Sequence, residues 1–111
     1  MAYDEDLAYR IRELLAGQAG LDERSMFGGL AFLLDGNMAV CASGRGGLMV
    51  RVPPDETAEY LSAAHTTPMV MGGRETRGWI RVDAAGISTK AALRRWVDVG
   101  AARARELPPK G

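Results

Sequence analysis

Near the N-terminus the apolar positions Leu7, Ile11, Leu14 and Leu15 recur at helical spacing, extended by Gln18, while Arg10, Arg12 and Glu13 occupy the polar side. This predicts a helix capped by Asp4, with acids in its first turn suited to the positive end of the helix dipole and Gly17 and Gly20 stopping it. The following LDERS reads as a linker. From Met26 to Leu34 the helical period disappears. MFGGLAFLL is apolar or glycine throughout and ends at Asp35-Gly36, a pair that permits positive φ at both centres of a tight hairpin turn. It is expected to be a strand, with Asn37 to about Ala42 as its partner. After a second turn, SGRGG, the stretch LMVRV alternates: Leu48, Val50 and Val52 share one face, Met49 and Arg51 the other.

Pro53-Pro54 ends that strand and opens a helix over DETAEYLSAAH, with Ala58, Leu61 and Ala64 expected to face inward. MVM and GWIRV, joined around GGRETR, read as two more strands, in the second of which Ile80 and Val82 alternate with Trp79 and Arg81. The last element is the clearest helix. Ser88 is its expected cap and Ile87 its hydrophobic staple, and Leu93, Trp96, Val97, Gly100, Ala101 and Ala104 form one apolar stripe ahead of Pro108-Pro109. The expected order is α-β-β-β-α-β-β-α, an α+β layout with helices packed on an antiparallel sheet.

A chain of 111 residues, 47% hydrophobic and 25% charged, suits one domain with one core, able to fold without metal or disulfide staples. Cys41 is alone, so no internal disulfide forms. No apolar run approaches the ~20 residues that span a bilayer. The acidic start MAYDEDLAYR is unlike a secretory signal, so the expected location is the cytoplasm, with no membrane partner. The net charge is zero, yet residues 1–60 carry ten acids against five bases and residues 61–111 nine bases against four acids. That dipolar layout favours a partner surface over bulk attraction to nucleic acid.

Motifs with chemistry are sparse. A phosphate-binding loop opens a helix and usually carries Gly-Lys, a pair that is absent; Gly44-Arg45-Gly46-Gly47 has Met49 where a dinucleotide fingerprint needs its last glycine, and a strand follows it. Gly28 and Gly29 are read as structural, marking a bulge or close approach in a strand, Gly36 as a hairpin glycine and Gly72-Gly73 as a turn. One histidine and one cysteine fall short of a zinc site, and no cofactor is expected. Cys41 is read as a small core residue and His65 as a helix-end residue, with a Cys41–His65 dyad left open. No catalytic residue is assigned. Lys90, Arg94, Arg95, Arg103 and Arg105 on the last helix offer a weaker alternative, a DNA-associated regulator, and a small enzyme using Cys41 is weaker still.

The residues MFGGLAFLLDGNMAVCA, LMVRV, PMVMGGRETRGWIRV and WVDVGAARARELPPK resemble the N-terminal domain of the TfoX/Sxy family, from the first helix to about Leu107. The resemblance implies a secretion-chaperone-like α+β sandwich and a regulatory role exercised with other proteins. It lends no catalytic residues. The stretch is expected to be a stand-alone N-terminal domain with a core of about residues 5–107, without the helical C-terminal domain of the competence regulators. The expected activity is that of a non-enzymatic interaction module. Its surface is placed at Met49, Arg51, Trp79 and Arg81, on the sheet face opposite Leu48 and Ile80, because tryptophan beside arginine is the composition of binding hot spots. The simplest partner is a second copy about a two-fold axis. The competing expectation is that the first helix folds over this face and buries it.

Overall fold

The computed structural model describes residues 3–26 and 28–109. Helix α1 (Glu5–Leu15) starts as expected, with the Asp4 carboxylate accepting from the N–H groups of Asp6 and Leu7 at 3.0 and 3.1 Å. It turns Leu7, Ala8, Ile11 and Leu15 inward and ends before Gln18.

The LDERS segment is not a linker. Strand β1 (Leu21–Met26) pairs antiparallel with β2 (Gly29–Leu34), from Leu21 opposite Leu34 to Met26 opposite Gly29. The expected single strand from Met26 is therefore two strands, the first ending at Met26 and the second starting at Gly29; Phe27, part of that expectation, lies outside the described residues. An edge strand needs no continuous apolar face, and charged side chains along it discourage pairing with other chains. Polar composition thus disguised the strand.

The remaining strands are β3 (Asn37–Ala42), β4 (Leu48–Arg51), β5 (Thr66–Met71) and β6 (Arg74–Val82). Between β2 and β3 the turn is the one anticipated, with φ of 51° at Asp35 and 84° at Gly36. All pairings are antiparallel and give one six-stranded sheet in the order β1-β2-β3-β4-β6-β5. The α+β class holds, with one strand more than expected.

Pro54–Glu56 form a 3-10 turn that leads into the short helix α2 (Thr57–Leu61). Its inward side is Thr57, Tyr60 and Leu61; Ala58 and Ala64, expected inside, are exposed. The hydroxyl of Thr57 explains the orientation. It donates to the Pro54 carbonyl and accepts from the Gly78 N–H, both at 2.9 Å, tying the helix to β6.

Helix α3 (Lys90–Glu106) is capped by Thr89, whose hydroxyl accepts from Ala92 N–H at 3.1 Å. Ser88, the expected cap, instead bonds back to the Ala85 carbonyl, and Ile87 is buried in the preceding 3-10 turn. The stripe of Leu93, Trp96, Val97, Gly100 and Ala104 is buried as anticipated. At Gly100 an added Cβ would meet the Ala39 carbonyl and lie 2.7 Å from Val40 Cγ1, so α3 rests directly on β3. Helices α1 and α3 pack together, and both cover the sheet face carrying Phe32, Val40, Leu48, Val50 and Ile80.

Candidate interaction face

Among the described residues no helix lies on the second face of the sheet, and yet that face is apolar. Ala31, Leu33, Met38, Cys41, Met49 and Met69 form a buried cluster there, flanked by Met26 and Trp79. Strand alternation places most of them: in β2, Leu30 and Phe32 point to the helices while Ala31 and Leu33 point away. In β3 alternation alone would fail, because Met38 and Cys41 are separated by three positions. The register shift opposite Phe32 and Leu33 leaves Ala39 as an extra residue, so Ala39 and Val40 both serve the helix side. Methionine dominates the result. All five methionines after Met1 lie on or around this face.

Side chains from opposite edges of the sheet meet here. Arg24 and Met26 of β1 and Met69 and Met71 of β5 line the same hollow, about 340 Å³ in volume, which requires the sheet to curl away from the helices. A second hollow of about 480 Å³ adjoins it along Met69 and Met71 and is bounded by Ser43, Arg45, Met49 and Arg81.

The four residues expected from sequence come together. Met49 lies opposite Arg81 and Arg51 opposite Trp79 in the β4–β6 register. Their exposure differs from the expectation in one respect: Met49 is only 3% exposed and forms the floor, while Arg51, Trp79 and Arg81 are half-buried around it. Helix α1 does not cover them, since it packs on the other side against α3.

The rim is cationic. The Arg51 guanidinium sits 5.4 Å from the centre of the Trp79 ring, and its pKa is lowered first by burial and then by the charge of Arg103. Arg81 donates to Ser43 Oγ at 3.0 Å and to the Gly46 carbonyl at 3.1 Å, which fixes it beside the β3–β4 loop. Arg24 meets Asp22 at 3.3 Å. Among the described residues Arg45, Arg51 and Arg81 form no ion pair, and no carboxylate lines either hollow.

The other candidate chemistry is dispersed. Cys41 is fully buried in the methionine cluster, and burial pushes its thiol up to about 11 against the opposing effect of Arg81. His65 is exposed ahead of β5, with its Nδ1 3.4 Å from Asp83 Oδ1, whereas Cys41 is enclosed by the methionine cluster. Of the basic residues of α3, Arg105 bonds Asp35, Gln18 and the Ala19 carbonyl, Arg103 bonds Glu106 and Arg95 lies over Trp96, while Lys90 and Arg94 line a hollow of about 330 Å³ with Arg10 and Glu13. Gly28 and Gly29 belong to a hairpin, and Gly44–Gly47 to the loop closed by Ser43 N–H on the Gly47 carbonyl, so neither pair opens a helix toward a phosphate. Among the described residues no three His, Cys, Asp or Glu side chains are grouped to hold a metal ion, and no helix is long and apolar enough to cross a membrane.

The methionine floor gave a signal that sequence reading passed over. Met26, Met38, Met49, Met69 and Met71 each stand at or next to positions assigned to strands, but only the curl and the bulge make them one surface.

Among the described residues, three helices on one side of an antiparallel six-stranded sheet, with an open side opposite, place the chain among small α+β domains. The family model of the TfoX N-terminal domain matches residues 13–104, and the chain belongs to that family. No curated protein matches it.

Proposed function

We propose that the chain is a non-enzymatic interaction module of regulatory type, acting in the cytoplasm by binding a partner protein through the helix-free face of its sheet. One observation carries this reading: among the described residues, an apolar floor of methionines, rimmed by Trp79 and three arginines without ion pairs, has no helix over it. Met side chains are flexible and polarisable and recur at surfaces that adapt to their partners. Tryptophan and arginine are the residues over-represented where binding energy concentrates. Burial holds Cys41 in its unreactive thiol form, which supports binding over nucleophilic chemistry.

The test is retention of a partner from native cell extract by immobilised protein, compared across two variants. Arg51→Ala with Trp79→Ala alters the face, whereas Lys90→Glu with Arg94→Glu alters the surface of α3. The proposal expects the partner to be lost with the first pair and kept with the second. Retention that depends only on Lys90 and Arg94 would overturn it and favour the basic helix.

A further inference from the structure

We infer that the occupant of this face is a peptide segment of a partner protein, with large apolar side chains flanked by carboxylates, rather than a second copy of the chain. The inference rests on the interaction reading above and adds the chemistry of the partner. Its basis is charge complementarity. Two adjoining hollows share the apolar wall of Met69 and Met71, four arginines border them, and among the described residues no carboxylate lines either one. Among the described residues, Arg24 alone of the four is paired, with Asp22. A guanidinium held beside an apolar floor is partly desolvated, as the lowered pKa of Arg51 reflects, so an incoming carboxylate is attracted more strongly than at an open surface.

A second copy meets the opposite situation. A two-fold contact sets the same patch against itself, so the cationic rim of Arg45, Arg51 and Arg81 would meet another cationic rim, and like charges at an interface disfavour the complex. Nucleic acid would satisfy the charge but not the apolar wall, since phosphate binding makes no use of thioethers. The approach lies over β5. That edge strand holds no charged residue and exposes Val70 by 58% and Met71 by 45%, whereas the opposite edge, β1, is guarded by Asp22, Glu23 and Arg24.

The experiment selects binders from a random displayed peptide library on immobilised wild-type protein, then measures their affinity for the wild type, Arg45→Glu/Arg51→Glu and Trp79→Ala, each checked for cooperative melting. Sedimentation of the wild type runs alongside. The inference expects selected peptides rich in Asp or Glu together with Met, Leu or Phe, weakened roughly tenfold or more by the charge reversal and progressively by salt. It expects the wild type to sediment as a monomer. Arg45 stands on an exposed turn, so Arg45→Glu alone keeps the test valid if the double variant fails to fold. Peptides that are neutral or basic, lost in Trp79→Ala yet indifferent to the charge reversal, would overturn the acidic partner while leaving the interaction face intact. Peptides indifferent to every face variant, or no selected peptides at all, would overturn both. A wild-type dimer dissociated by Trp79→Ala would assign the face to a second copy, and displacement of the selected peptides by duplex DNA at matching concentration would assign it to nucleic acid.

Discussion

Adjacent glycines at the β1–β2 turn are expected to respond to substitution in different ways. At Gly29 an added Cβ would meet the carbonyl oxygen of Ala42 and lie 3.1 Å from the Gly44 nitrogen. Both are backbone atoms, so no side-chain rotation relieves the clash, and the β2–β3 pairing at Leu30 and Ala42 has to give way. Gly29→Ala should therefore fall at the upper end of overpacking costs, about 3 kcal/mol. Gly28 has φ of 73° and nothing within 4 Å of an added Cβ. Its requirement is conformational alone, so Gly28→Ala should cost about 1 kcal/mol. Gly28→Asn should recover most of that, because asparagine tolerates the left-handed region. For a domain of this size these costs correspond to midpoint drops of roughly 12 °C and 4 °C. Thermal melts with urea titrations at 25 °C give the order directly. If Gly29→Ala were no worse than Gly28→Asn, the close approach to β3 would be wrong. If Gly28→Asn were as damaging as Gly29→Ala, something must fill the space above Gly28 in the working protein.

Two further expectations concern titratable groups. With its pKa pushed up to about 11, the Cys41 thiol should be alkylated at pH 8 roughly a hundredfold more slowly in native protein than in unfolded chain, and comparable rates would contradict its burial. Because this folded-state value is raised, the wild type should lose stability as pH climbs from about 9 through 11, and Cys41→Ala should flatten that alkaline decline in urea titrations. Glu23 behaves in the opposite sense: its paired hydrogen bonds from Arg12, both 2.7 Å, lower its pKa, so its contribution is present above the ordinary carboxylate range and disappears as pH falls. Glu23→Gln should make the acid limb of the stability profile shallower, and an unchanged limb would show that the α1–β1 pair contributes nothing.

Local signals made much of this fold legible. The stripe of α3, the Asp4 cap, the Asp35-Gly36 turn and the alternation of Leu48, Val50 and Val52 all arise within a few residues of one another, and the structure carries each of them. What escaped depends on distant partners. Strand β1 is hidden by its charges, because an edge position removes the need for an apolar pattern. Every residue of β2 and β3 is buried, since both faces of the sheet carry apolar clusters, and two-sided burial erases alternation. The face of Met49, Arg51, Trp79 and Arg81 was readable from strand period alone, but the convergence of Met26, Met38, Met69 and Met71 needed the Ala39 bulge and the curl of the sheet. Thr89 displaced Ser88 as a cap because the 3-10 turn through Ile87 engages Ser88 with the Ala85 carbonyl first.

The central claim, that the helix-free face is where this domain meets its partner, is tested most directly by photo-crosslinking in the native cell. A photoreactive residue replaces either Val70, exposed at the mouth of the methionine face, or Arg94, exposed on the opposite side of the molecule. The account predicts a discrete adduct from position 70 that is lost when Trp79→Ala is added, and none from position 94. A discrete adduct from position 94 with none from position 70 would contradict it.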